Sequence, residues 1–501
     1  VTDDLATAAL LGTDRSPASP TTTDPVLAAA AAGLPERDDP ATRLLDAAAL
    51  AATARRATGS QVIAGPPPPP APDETLPVCG AAAAAHLRAL LAGGTEAVDL
   101  LALWLSTAAV RGLRIPPALV VPVLEAVAAE PGGRPGLRAD ALVAAGERGR
   151  WLAAQHPTWR ALLPAPAPVD TGTVDGDDPA WRHGDAAERA AWLDRARTAD
   201  PATARALVAE AWRSAGAQER ATLVRALRSR LSPDDEPFLD AALADRSVAV
   251  RAAAVGVLAH LPSSAFVARC AERALTSVTI TRRMLRDHLT VELPEPEPDD
   301  PFAAPALGAG AKAALLTRLV EVTPLSAWDR LGRDPGALAQ LAAAADAGPL
   351  LDGWTAAAER EHDPRWARAL LRASPGRSAQ AAATLGAVLD PGDRADVVRA
   401  VTATVGATSA GQAAVAGLVQ GMSGPWSEPL TVAVAEWAAR QSAVWGIAGV
   451  LRRLGHDAEP TARTEALLRA VAGRAGPHVA PSLTRAADLV HERRTILEEL
   501  T

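Results

Sequence analysis

Pro237-Phe238-Leu239-Asp240-Ala241-Ala242-Leu243-Ala244-Asp245-Arg246-Ser247-Val248-Ala249-Val250-Arg251-Ala252-Ala253-Ala254-Val255-Gly256-Val257-Leu258 carries two helical periods separated by a polar turn. Phe238, Leu239, Ala242 and Leu243 fall on one stripe of a short helix. Asp245-Arg246-Ser247 interrupts the pattern; Val250, Ala254, Val257, Leu258 and Leu261 then share a face of a second helix, which Pro262 stops. The wider segment from Glu219 to Leu275 reads as this antiparallel pair preceded by a third helix. Neither helix can bury its stripe alone, so neighbouring hairpins must cover it.

The rest of the chain is written in the same alphabet. Alanine and leucine dominate its 501 residues, Tyr is absent and Phe occurs only three times, so strong helix formers greatly outnumber strand formers. Buried Ala contributes much less than Leu at about 25 cal/mol per Å² of apolar surface. Closely approaching helices must therefore compensate, with the twelve Trp residues as the large fillers. Lys312 is the one lysine among 50 basic residues, a skew that fits a high-GC genome.

Eight Asp-Pro steps, beginning at Asp24, Asp39, Asp178, Asp200, Asp300, Asp334, Asp363 and Asp390, read as helix starts. Asp accepts from the first-turn amides, and Pro suits N1, where its missing donor costs nothing. Gly65 to Thr75, Pro164 to Asp178 and Pro294 to Pro305 read as loops or linkers, the first including a stiff polyproline segment at Pro66 to Pro70. They delimit an N-terminal helical block at 1–163 with its proline-rich loop at 65–75, a central block at 179–293 and a C-terminal block at 306–501. The expected fold is all-α: an α-solenoid of stacked helical hairpins in two or three blocks.

The Asp245 turn, with Val250-Arg251 following and an Asp-to-Arg spacing of six residues, resembles a HEAT repeat. Weaker echoes occur at Asp393 with Val398-Arg399 and at Asp363 to Leu371. The resemblance implies that Asp245 and Arg251 join the turn to the next unit, and that the stack is HEAT/armadillo-like. A second resemblance rests on Ala9-Leu10-Leu11-Gly12-Thr13-Asp14-Arg15, Ile115-Pro116-Pro117, Gly146-Glu147-Arg148-Gly149-Arg150-Trp151-Leu152 and His156-Pro157-Thr158-Trp159. These stretches look like an uncharacterised bacterial helical family encoded beside a MoxR-type AAA+ ATPase, a SWIM zinc-finger protein and a von Willebrand factor A protein. That resemblance implies an AAA+ ATPase or von Willebrand factor A partner and no activity.

Signatures of chemistry are degenerate. Gly308-Ala309-Gly310-Ala311-Lys312-Ala313 lacks the Walker spacing, and Gly421-Met422-Ser423-Gly424 is not a nucleophile elbow. Nine histidines stand singly, without metal-ligand spacing, and Cys79 and Cys270 make neither a disulfide framework nor a metal pair. Asp287-His288 is read as adjacent helix residues pointing apart. The sequence thus implies no catalytic residue, cofactor or metal.

Charge and indole concentrate at Arg148, Arg150, Trp151 and Trp159, and again at Trp181 and Arg182, which together form a candidate interaction surface. A helix end packed under an arginine network is the competing reading of the same residues. A net charge of −8 argues against nucleic acid, an acidic N-terminus argues against a signal peptide, and no apolar run approaches a membrane span. The expectation is a cytoplasmic, non-catalytic protein-interaction scaffold. A DNA-binding or DNA-glycosylase-like HEAT protein is the alternative.

Overall fold

The computed structural model describes residues 9–10, 25–34, 39–58, 68–93, 97–130, 135–164, 174, 176–284, 286–297, 300–302, 309–405, 408–442 and 444–501. Leu11 to Arg15, Asp24, Gly65 to Pro67, most of the 165–175 linker and the 303–308 stretch containing Gly308 lie outside them. Among the described residues the fold is all-α apart from one two-stranded sheet. The chain forms two compact units, Val1–Asp73 and Glu74–Thr501.

In the first unit, α1 (Pro25–Ala32) packs on α2 (Pro40–Thr58). Asp39 starts α2 as its Asp-Pro step implies: its carboxylate accepts the Ala41 and Thr42 amides at 3.2 and 3.0 Å. The Thr42 hydroxyl adds a 2.6 Å bond. Asp200-Pro201-Ala202-Thr203, in the second unit, repeats this geometry, including the 2.6 Å hydroxyl bond from Thr203.

The second unit begins with α3 (Ala81–Ala92), α4 (Val98–Val110), α5 (Pro117–Ala128), α6 (Pro135–Ala144), α7 (Gly146–Gln155) and α8 (Pro157–Arg160). It continues with α9 (Pro179–Arg182), α10 (Ala186–Ala199), α11 (Pro201–Ala211), α12 (Ala217–Ala226), α13 (Glu236–Ala242), α14 (Val248–Leu258) and α15 (Ala265–Thr276). Strands β1 (Val278–Arg283) and β2 (Arg286–Val291) follow, then α16 (Ala309–Val322), α17 (Pro335–Ala344), α18 (Gly348–Glu361), α19 (Pro364–Ala373), α20 (Ala379–Val388) and α21 (Arg394–Thr404). The last helices are α22 (Ser409–Gly421), α23 (Glu428–Ala439), α24 (Ala448–Asp457), α25 (Ala462–Ala472) and α26 (Ala480–Glu499).

Packing follows a parity rule. Even-numbered helices contact even-numbered ones, α10 on α12 on α14, and then α16, α18, α20, α22, α24 and α26 in succession. Odd-numbered helices α17, α19, α21, α23 and α25 make a second row. The last helix, α26, packs on α3 and α4, and α4 on α6, so the C-terminus sits between segments distant in sequence. Ile496 and Leu500 of that end join the core built from residues 79–162, while buried residues from Trp181 to Val490 make a second continuous core.

Glycine brings the even row close. A Cβ on Gly417 or Gly421 of α22 would lie within 3.0 Å of the Ala379 or Ala383 carbonyl oxygen of α20. Gly353 of α18 likewise faces Val320 Cβ at 2.5 Å, and Gly455 of α24 faces Leu489 at 2.8 Å. This close approach is what an alanine-rich core requires. Odd helices α19, α21, α23 and α25 contain no glycine.

The hairpin β1–β2 departs from the helical reading. Val278 and Ile280 alternate with Thr279 and Thr281 and pair with Val291 and Leu289, a period-2 pattern that the surrounding helical composition masks. Asp287-His288 therefore lies on a strand and not a helix. Asp287 is bonded to Arg333 at 2.6 Å, which holds its carboxyl below the usual range. Two other expectations also shift. Asp178, Asp200, Asp334 and Asp363 cap helices as Asp39 does. Asp300 instead binds Arg273 at 2.5 Å and ties the acidic loop to α15. Asp390 precedes a turn, and the helix starts at Arg394.

Candidate functional site

The charged and aromatic residues expected to form one surface fall in two places. Trp159 packs against the core of residues 79–162 and stacks on His156, with ring centroids 4.3 Å apart. Trp181 is buried in the other core, 5.1 Å from Trp192. Trp151 is half-buried, Arg148 is exposed, and Arg182 is exposed and paired with Asp177. Arg150 pairs with Glu147 and reaches the Leu142 carbonyl at 3.4 Å.

Local backbone chemistry explains the Gly146 to Arg150 motif. Gly146 has φ +70° and opens α7, and its missing Cβ leaves room for the Glu74 carboxylate. Glu74 accepts the Glu147 and Arg148 amides at 2.9 and 3.1 Å, so this helix N-terminus is already filled by the chain's own anion. The motif builds a helix start.

At the α13–α14 hairpin, the Asp245 carboxylate takes two 3.1 Å bonds from Arg220 of α12 and accepts the Ser247 amide at 2.8 Å. Arg251 donates to the carbonyls of Asp245 at 2.8 Å and Arg246 at 3.3 Å. Asp245 thus joins its turn to the preceding helix, while Arg251 fastens the turn itself. Burial alone would raise the Asp245 pKa, but the bonds from Ser247 and Arg220 outweigh it and hold the carboxyl below its ordinary value. Arg368 and Asp393 repeat the arrangement at 3.1 Å with the same separation of 25 residues.

Beside this turn opens a cavity of about 980 Å³, walled by Asp245, Arg251, Phe266, Arg269, Arg273 and Phe302 among others. Its charges largely satisfy each other: Arg269 pairs with Asp240 at 3.3 Å and Arg273 with Asp300 at 2.5 Å. Cys270, on the same wall, is buried, and burial pushes its thiol up to about 12. That thiol stays protonated and is a poor nucleophile. Among the described residues no group of three His, Cys, Asp or Glu side chains is placed to hold a metal ion.

Sequence reasoning missed the main connectors of the even row. The last carbonyls of a helix lack intrahelical donors, and the negative end of its dipole favours a cation. Arg453 of α24 donates to the Val419, Gln420 and Met422 carbonyls at the end of α22, at 2.8, 2.6 and 2.5 Å. Arg493 of α26 does the same for the Gly455 and Ala458 carbonyls of α24 at 2.8 and 2.7 Å. Arg360 bridges α18 to Glu321 and Thr323 at the end of α16. Arg394 bridges Leu389 and Ser423, and Arg111, following α4, reaches Leu497 of α26 at 2.6 Å.

At the other end of the row, Arg197 and Asp235 form a fully buried pair at 2.7 Å, and Arg197 also takes the Ser229 and Arg230 carbonyls at 2.5 and 3.0 Å. A guanidinium fork can hold two carbonyls on different segments at once. The arginine skew was the available signal.

Several charged and apolar side chains without partners face outward. Arg282, Arg283 and Arg286 crowd the tip of the β-hairpin, their side chains exposed and without an ion-pair or hydrogen-bond partner among the described residues, and Met284 between them is 99% exposed. Trp445 is 96% exposed, whereas eight of the twelve Trp side chains, such as Trp104, Trp328 and Trp426, are buried. No helix among the described residues is long and apolar enough to cross a membrane.

No curated protein and no solved structure matches the chain significantly. A family model does, over residues 4–500, nearly the whole length. The chain belongs to the family of unknown function DUF5691.

Proposed function

We propose that the chain is a non-catalytic scaffold, a HEAT-like solenoid that presents an extended surface to a protein partner in the cytoplasm. The observation that carries this reading is the packing of second neighbours from α16 to α26 along two rows. Rows of this kind bury a continuous core and leave a long outer surface for binding. The buried, unpaired Cys79 and Cys270 fit a reducing compartment. The resemblance to a family encoded beside MoxR-type AAA+ ATPases points to such an ATPase, or a von Willebrand factor A protein, as the partner.

Affinity capture of the tagged chain from cells that encode it, under gentle conditions, tests the proposal. A stoichiometric protein partner is expected. Recovery of the chain alone, at every salt concentration tried, would count decisively against it.

A second reading rests on the β-hairpin. A two-stranded ribbon fits the major groove of DNA, and Arg282, Arg283 and Arg286 are unpaired at its tip. On this reading, duplex affinity falls with salt with a log–log slope of about −2.7, for three phosphate contacts. Triple replacement of these arginines by Glu removes it.

A further inference from the structure

We propose that the crevice between α24 and α26 is the docking site for an acidic, hydrophobic segment of the partner protein. This rests on the scaffold reading and specifies its face and its chemistry. The crevice encloses about 390 Å³, and Val444, Ala448, Leu451 and Leu489 give it an apolar floor. That volume lies in the range of sites that accept a large apolar group. Gly455 on α24 and Ala486 on α26 also line it, where the two helices come into close contact.

Arg452 and Arg485, one from each helix, stand in its wall. Both are exposed, and neither has an ion-pair or hydrogen-bond partner among the described residues. Most arginines along this row are engaged by carbonyls or carboxylates, so two free guanidiniums flanking an apolar floor form a distinct feature. His456 also lines the crevice but turns towards Asp99, 3.8 Å away.

Trp445 favours a polypeptide as the occupant. It adjoins the wall residue Val444 and is 96% exposed, so a molecule contained within the crevice leaves it uncovered. A chain that places an apolar side chain on the floor and continues outward covers the indole and sets its carboxylates on the two arginines. Buried Trp and Arg anchors of this type dominate interface energetics.

The test uses the full chain and a fluorescein-labelled peptide, Asp-Glu-Leu-Phe-Asp-Glu between Gly-Ser flanks, read by anisotropy. Saturable binding is expected. Arg452→Glu with Arg485→Glu, and separately Trp445→Ala, should each weaken it by about tenfold or more, Lys at both arginine positions less. Because all three side chains are exposed, unchanged circular dichroism melts accompany these variants. Equal affinity for the variants, equal binding of a peptide with Ser-Ser in place of Leu-Phe, or binding of dodecanoate with none of the peptide overturns the proposal. Capture from cells separates the two levels of the argument. A partner held equally by wild type and the double Glu variant overturns this site and leaves the scaffold standing, whereas no partner on either overturns the scaffold.

Discussion

Arg453 offers a direct test of how the even row is held together. Its guanidinium donates to three carbonyls at the end of α22, pairs with Asp457 and lies 5.2 Å from the Trp426 ring centroid. The side chain is only 22% exposed, so these contacts are partly shielded from water. A hydrogen bond to a charged group contributes about 1.5–3 kcal/mol, but one guanidinium shares its donors among all of them. Removing it also strands the Asp457 carboxylate, and breaking such a pair costs about 3–5 kcal/mol when buried. Allowing for partial exposure, Arg453→Ala should cost about 3 kcal/mol, and Arg453→Lys about half of that, since the ammonium keeps the charge but loses the fork.

A stacked chain of this length is not a two-state folder, so a melting curve registers the loss without assigning it to one contact. Hydrogen–deuterium exchange resolves it. Peptides ending at Met422 should exchange about a hundredfold faster in the Ala variant, as about 3 kcal/mol implies, and those in α16 should be unchanged. Wild-type protection in the Lys variant would refute the fork argument. A uniform loss across the chain would refute the idea of a local connector.

Gly421→Ala should destabilise the α20–α22 contact by about 1–3 kcal/mol by overpacking, although Gly→Ala ordinarily stabilises a helix, and urea denaturation gives the sign. Asp235 is fully buried. Burial would raise its pKa, but bonds from Arg197, Arg205 and the Ser232 amide outweigh it and hold it below the ordinary 3.8. A depressed carboxyl stabilises above its unfolded pKa, so its contribution is full above pH about 4 and is lost as pH falls through the lower, folded value. Asp235→Asn should flatten that acid limb in a pH series of melts. His260 behaves with the same sign for a different reason: burial, then the nearby Arg228, Arg360 and His362, lowers its pKa below 6.5. It folds neutral, so its contribution is full above pH about 6.5 and falls on acidification; His260→Gln should remove that component, measured by the same melts. Arg333→Ala should free the Asp287 carboxyl, raise its pKa and accelerate exchange in β2, which packs on α17.

Helical periodicity made the architecture legible because apolar spacing and Asp-Pro starts are local signals. Val250, Val257 and Leu258 are buried as their spacing implies, and Asp39, Asp178, Asp200, Asp334 and Asp363 cap their helices. The β-hairpin escaped because its strands are six residues each and lie in helix-favouring surroundings, where Val278-Thr279-Ile280-Thr281 is too short a period to stand out. The parity rule and the position of α26 beside α4 are long-range facts with no local trace.

The candidate surface was less legible. Trp181 signals bulk, and bulk serves a core as readily as a partner; only burial separated it from Trp445, which nothing in its neighbouring residues marks as exposed. The Gly146 motif owes its character to Glu74, which lies 73 positions before Glu147. The arginine connectors were hidden by an explanation that needed no structure, the base composition of the genome, although a lone Lys312 among so many arginines is also what carbonyl forks demand.

The central claim is that this chain works by holding a protein along its even-numbered row. Cross-linking mass spectrometry on the captured complex tests it most directly, with a carboxylate-directed reagent because a lysine-directed one would find only Lys312 among its side chains. Partner links should cluster at acidic residues near α24 and α26, such as Asp488 and Glu492, and disappear with the Arg452→Glu, Arg485→Glu double variant. Links scattered evenly over both rows, or confined to the odd helices, would contradict it.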